Sequence, residues 1–244
     1  MELKKTNIGC FMAVPDLISL LNLSFGFLAI LMAINNQIFI SSTFIIIALI
    51  FDSLDGWIAR KLSRVDNHGF GKNIDSLSDI VSFGVAPGIL LYCSGKIYIE
   101  ILGLSSQIHY LDYLLAIISL FVVICGVLRL TRFNVISEKI DFNGFIGVPI
   151  PTAGIILASF ILTGFFNIYL AMFLMIIVGF LMISNIRYSK LNNPKILLIC
   201  AILVILTIAP YKLVYMGINI PATIIFIMTI LYIFMGIIKH IFKK

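Results

Sequence analysis

The sequence predicts an all-α fold: a polytopic membrane bundle of about eight transmembrane helices with both termini on the cytoplasmic side. Three observations carry this. Of 244 residues, 61% are hydrophobic and only 11% charged. An ordinary soluble domain carries about 25% charged residues, so this chain lacks the polar surface to face water. Apolar runs near the ~20 residues that cross a bilayer recur along its whole length. Lys and Arg collect in alternate breaks between those runs, as they do in the cytoplasmic loops of membrane proteins.

The runs cover 14–34, 38–60, 74–95, 111–133, 148–165, 168–185, 194–209 and 214–240. Short breaks with turn chemistry separate them, among them Asn35-Asn36, the polar stretch 61–73, Asn143-Gly144 and Asn192-Asn193-Pro194. At 165–167 a tight turn between two helices competes with one long bent helix. Eight spans with a cytoplasmic N-terminus place 15 of the 17 Lys and Arg residues on the cytoplasmic side, leaving Lys96 and Lys212 on the other. The net charge of +6 is thereby assigned to loops, and nucleic acid is not expected as a partner. The N-terminal apolar run carries Pro15 and Asp16 and is too long for a leader's hydrophobic region, so it reads as a retained span. Cys10, Cys93, Cys125 and Cys200 lie far apart with no CxxC, which argues against a disulfide framework or zinc site. Residues 1–244 read as one integral membrane domain, with a catalytic core at about 10–185 and additional C-terminal helices at about 194–240.

Four of the eleven acidic residues, Asp52, Asp55, Asp75 and Asp79, fall in or beside the second and third runs. Carboxylates in membrane helices are costly, which makes them functional candidates. Asp52 and Asp55 are three apart and Asp75 and Asp79 four apart, so each pair shares one helix face. Two such faces opposed bring four carboxylates to one mouth, where divalent cations with oxygen ligands relieve the repulsion and leave positions for phosphate oxygens. Plain ion pairing with Arg60, Lys61 or Lys72 is the bland alternative. Gly56 and Ala59 continue the Asp52 face with small side chains that admit a ligand close to the backbone, Arg60 offers phosphate a planar fork, and Gly71 precedes Asp75 by four residues.

The string DSLDGWIAR followed by GKNIDSLSD resembles the signature of the CDP-alcohol phosphatidyltransferase family. Asp52, Asp55, Gly56, Ala59, Arg60, Gly71, Asp75 and Asp79 fill its eight places, with a slightly long loop between Arg60 and Gly71. PDLISLLNLSFGFLAI resembles the family's first helix, with Asp16 and Ser19 where Asn and Thr are commoner. DSLSDIVSFGVAP, GVLRLTRFNV and GFIGVPIPTAG resemble the phosphatidylserine synthase branch.

The resemblance implies transfer of a phosphatidyl group from CDP-diacylglycerol, or its ether-linked archaetidyl analogue, to an alcohol, with CMP released. It implies two divalent metal ions (Mg or Mn) on Asp52, Asp55, Asp75 and Asp79, with Asp79 as general base and Gly56, Ala59, Arg60 and Gly71 around the CDP-lipid. It also implies L-serine as acceptor and a homodimer in the cell membrane with its active site facing the cytoplasm. Arg129 and Arg132, with Asn134 and Ser82, are the candidate acceptor residues. Both arginines also suit headgroup anchoring at a helix end, and Ser82 equally suits close helix packing. Glycerol-3-phosphate and inositol phosphate are rival acceptors. A cation transporter is the rival outside the enzyme class, although transporters hold their acids near the bilayer midplane.

Overall fold

The computed structural model describes residues 8, 11–62, 69–101, 103, 108–137, 144–189, 194–208, 214–215 and 217–242. Expectations resting on Lys4, Lys5, Cys10, Arg64, Lys139, Lys190, Lys212, Lys243 and Lys244 lie outside these residues.

Among the described residues the fold is all-α. The helices are α1 (Val14–Ile34), α2 (Ile38–Lys61), α3 (Phe70–Asp79), α4 (Ala86–Ile101), α5 (Ile108–Ser137), α6 (Pro151–Leu162), α7 (Ile168–Ile183), α8 (Pro194–Ile208) and α9 (Ile220–Ile241). A π-helical segment, Ile80–Val85, joins α3 to α4 into one continuous rod from Phe70 to Ile101. The described residues also include two small antiparallel ribbons: β1 (Phe145–Ile146) with β2 (Arg187–Tyr188), and β3 (Val214–Tyr215) with β4 (Ile218–Asn219).

Among the described residues, five helical stretches are long and apolar enough to cross a bilayer: Val14–Ile34, Ile38–Lys61, Phe70–Ile101, Tyr110–Ile136 and Ile220–Ile241. They expose large apolar side chains, among them Phe27, Phe39, Leu120, Leu231 and Phe234. The remaining apolar helices are shorter. The run 148–165 yields a helix of only 12 residues, about 18 Å at 1.5 Å per residue. Its apolar character has another cause: ten of those residues are buried, and α6 packs against α2, α9, α7, α4 and the π segment. A helix apolar on every side is here the centre of the core.

The ambiguity at 165–167 resolves as a turn. Gly164 adopts φ +90°, a conformation open to glycine, and the Asn167 side chain accepts from the backbone N–H groups of Tyr169 and Leu170 to start α7. Pro151 stands at the start of α6, where its missing N–H costs nothing. The last apolar run is shortened because Val214–Tyr215 and Ile218–Asn219 pair as the β3–β4 ribbon before α9 begins.

α1 is the element that orders the site. Its buried stripe runs Pro15, Asp16, Ser19, Asn22, Gly26, Ala29 and Ala33, at the three- and four-residue spacing of one helix face. This stripe packs on α2, α3 and the π segment. Gly26 permits the approach: a Cβ there would lie 2.6 Å from the Ser82 Cα.

Candidate active site

Asp52 and Asp55 lie on α2, Asp75 and Asp79 on α3. The structure brings the two faces together. Asp52, Asp55 and Asp75 each offer a carboxylate oxygen within 4.8 Å of the others. Asp79 stands beside this trio, its carboxyl within hydrogen-bonding range of Asp52. Asp55 and Asp79 are buried, at 6% and 7% exposure.

Second contacts come from α1. Ser19 Oγ donates to Asp55 Oδ2 at 2.6 Å, and Asn22 Nδ2 donates to Asp79 Oδ1 at 3.2 Å. Asp16 caps the helix by accepting from the Ala13 N–H at 2.8 Å. The sequence reading did not assign Asn22 to the site. Its signal was present as polar residues at 16, 19 and 22, three apart in an otherwise apolar helix.

The neighbouring lysines also make contacts away from the carboxylates. Lys61 Nζ sits 4.9 Å over the Trp57 ring, and Lys72 Nζ donates to the Asn134 carbonyl at 2.8 Å. Gly56, Ala59 and Gly71 are half-buried and Arg60 is exposed. A Cβ on Gly56 would lie 3.4 Å from Arg60 Nη1, so the guanidinium folds back along α2 toward the position left small.

The candidate acceptor residues separate into different employments. Arg129 is buried at 4% exposure. Its guanidinium carbon lies 5.2 Å from the centre of the Phe133 ring and 5.4 Å from that of Phe145. It is within electrostatic reach of Asp79 and Asp52, and its Nε has no hydrogen-bond partner.

Arg132, expected at the acceptor, is instead committed to backbone. Nη2 donates to the carbonyls of Ile146, Met182 and Ser184, each at 2.9 Å. Nη1 donates to the Ile183 carbonyl at 3.0 Å and to Asn185 Oδ1 at 3.4 Å. The final carbonyls of α7 have no partners within their own helix, and Arg132 satisfies them from α5.

Asn134 Nδ2 donates to Ser76 Oγ at 2.8 Å, tying α5 to α3. Ser82 Oγ donates to the Asn22 carbonyl at 2.9 Å and packs on Gly26. Both therefore brace the helices that carry Asp79.

The oxygen-only donor set of Asp52, Asp55 and Asp75, mutually repelling and with Asp55 buried between two half-buried partners, fits a hard divalent cation. The arrangement can hold a diphosphate against cations, with one further buried carboxyl beside it and a buried guanidinium behind.

Comparison with known proteins agrees with this chemistry. The family model described as CDP-alcohol phosphatidyltransferase matches residues 12–183. The archaetidylserine synthase of Methanothermobacter thermautotrophicus is 45% identical over 186 residues, covering 76% of this chain and 73% of that protein. The CDP-diacylglycerol–serine O-phosphatidyltransferase of Methanocaldococcus jannaschii is 36% identical over 237 residues, covering 96% and 98%. The Bacillus subtilis protein of the same name is 34% identical over 180 residues, covering 74% and 92%. With its four signature aspartates gathered together and most of its length matched, the chain belongs to the CDP-alcohol phosphatidyltransferase family.

Proposed function

We propose that this chain transfers the phosphatidyl group of a CDP-linked diacyl or archaetidyl lipid to L-serine, releasing CMP. The observation that carries the reading is the convergence of Asp52, Asp55 and Asp75 within 4.8 Å, with Asp79 alongside. The serine-specific names of the three relatives support the acceptor.

Asp52, Asp55 and Asp75, with Asp79 adjoining, would hold two divalent ions, Mg or Mn. When bound, these supply charge neutralisation and Lewis acidity toward the diphosphate oxygens. Arg60, Gly56, Ala59 and Gly71 border the nucleotide and diphosphate. Arg129 receives the serine carboxylate, and Asp79 takes the proton of its hydroxyl. The serine oxygen forms a new bond to the lipid-bearing phosphorus while the bond from that phosphorus to the bridging oxygen of CMP breaks. The hydroxyl proton resides on Asp79, and CMP leaves with the bond's electron pair. The burial of Asp79 and Arg129 keeps bulk water from competing with serine as nucleophile.

The same reading places the protein in the cell membrane as a homodimer, with eight spans and the site facing the cytoplasm. The 15-to-2 division of Lys and Arg supports that orientation. Cysteines introduced at Lys4, Asp66 and Lys243 should resist labelling from outside intact cells, and outside labelling at Asp66 contradicts the topology.

An acceptor panel tests the function. Purified protein with CDP-diacylglycerol should release CMP with serine, and far less with glycerol-3-phosphate, inositol phosphate, ethanolamine or serine methyl ester. Preference for a phosphorylated acceptor overturns the choice of serine. Metal flux without CDP-lipid turnover favours the transporter alternative.

A further inference from the structure

Arg129 carries a buried cation whose rotation is limited by its surroundings. It lies near the centres of the Phe133 and Phe145 rings, themselves 5.9 Å apart. Phe133 belongs to the same helix as Arg129, one turn on. Phe145 arrives from β1, sixteen residues away in sequence.

Four features fix β1 in place. Phe145 and Ile146 pair with Tyr188 and Arg187 of β2. Arg132 donates to the Ile146 carbonyl while also binding the carbonyls of Met182, Ile183 and Ser184. Gly147 turns with φ +76°, in a space where a Cβ would overlap the Met182 carbonyl and lie 2.7 Å from Arg132 Nη2. Tyr188, opposite Phe145, is buried at 2% exposure against the bare backbone of Gly236 on α9. The ribbon is thus clamped to α5, α7 and α9, and what it presents inward is the Phe145 ring.

We propose that Phe145, held in place by Arg132, is a positioning residue for the acceptor: its ring pins the Arg129 guanidinium in the orientation that receives the acceptor's carboxylate. This rests on the functional reading above and deepens it. The unpartnered Nε of a buried arginine near two carboxyls is the second observation that an anionic group of a ligand belongs there. A guanidinium against an aromatic face is both attracted by the ring and shielded from water, which strengthens its contact with an incoming carboxylate. Phe145 touches the arginine and not the reacting atoms, so its loss falls on acceptor binding. Arg132 acts one step further back, through the backbone of Ile146.

The test measures kcat and KM for serine, and the CDP-diacylglycerol KM, in Phe145→Leu, Phe145→Tyr and Arg132→Lys. Phe145→Leu should raise the serine KM about tenfold, with kcat and the CDP-lipid KM within about twofold. Phe145→Tyr, which keeps the ring, should stay near the unmodified protein. Arg132→Lys cannot span four carbonyls and should show the Phe145→Leu pattern together with a lower melting temperature. A serine KM within twofold of normal in Phe145→Leu overturns the proposal. So does an equal rise in both KM values, which marks a general packing role. If the unmodified protein shows no serine-dependent CMP release, the choice of serine is what fails. The same comparison is then made with whichever acceptor does release CMP, and an unchanged KM for it overturns the positioning role.

Discussion

Asn22 of α1 holds Asp79 of α3: its side-chain amide donates to Asp79 Oδ1 at 3.2 Å, across 57 residues of sequence. Asn22 is itself fully buried, and its carbonyl accepts from Ser82 three residues beyond Asp79. Asp79, the proposed general base, is therefore oriented from α1, and the same helix is tied to the segment that follows Asp79 through Ser82.

This bond predicts a defined kinetic defect. A hydrogen bond to a charged group contributes about 1.5–3 kcal/mol, so Asn22→Ala should lower kcat roughly tenfold to a hundredfold. The serine KM should change little, because Arg129 is untouched. Steady-state kinetics check this, and a kcat within twofold of normal removes Asn22 from the account.

The aspartates themselves should separate into two behaviours. Asp79→Asn should nearly abolish turnover while CDP-lipid binding remains measurable, since the trio of Asp52, Asp55 and Asp75 persists. Asp52→Asn should weaken metal and nucleotide binding as well. Isothermal titration alongside turnover distinguishes them. An Asp79→Asn rate above about a tenth of normal, a barrier change of only about 1.4 kcal/mol, contradicts the general-base role.

Arg129 and Arg132, three apart on α5, should fail differently. Arg129→Leu should narrow the preference for serine over ethanolamine, because the carboxylate loses its partner. Arg132→Leu frees the carbonyls of α7 and β1 and should lower the melting temperature in detergent. Equal selectivity in Arg129→Leu and the unmodified protein returns Arg129 to an anchoring role.

The approach of α1 to the π segment predicts a steric defect. In Gly26→Ala the new Cβ meets the backbone of Ser82 as well as its side chain, so the two helices must part. Overpacking of this kind costs about 1–3 kcal/mol, readable as a lower melting temperature. Ser24→Ala, on the exposed side of the same helix and bonded only to its own Leu20 carbonyl, serves as the control and should melt normally.

The acidic site was legible in the sequence because its information is local. Asp52 with Asp55, and Asp75 with Asp79, are each placed on one face by helix geometry alone. What α1 contributes was not legible, since Ser19 reaches a residue 36 positions on and Asn22 one 57 positions on. Helix packing decides such pairs. The two arginines illustrate the same limit. Identical in type and adjacent on one face, they differ in what other elements bring to them: the Phe145 ring of β1 to Arg129, carbonyls of α7 and β1 to Arg132. The eight apolar runs correspond to eight helical stretches, yet hydropathy alone did not distinguish α6, apolar because it is the core, from helices apolar because they meet lipid. The π-helical segment after Asp79 has no composition signature that sets it apart from the α-helix on either side.

The central claim is that this acidic cluster, with divalent ions, joins a phosphatidyl group to serine. Isotope-labelled serine and CDP-diacylglycerol given to the purified protein, with Mg²⁺ or with excess EDTA, test it most directly by mass spectrometry of the lipid product. The account predicts a labelled serine phospholipid formed in equal amount to CMP, with both products lost on chelation. CMP release without label in the lipid, or transfer that continues undiminished in EDTA, would contradict it.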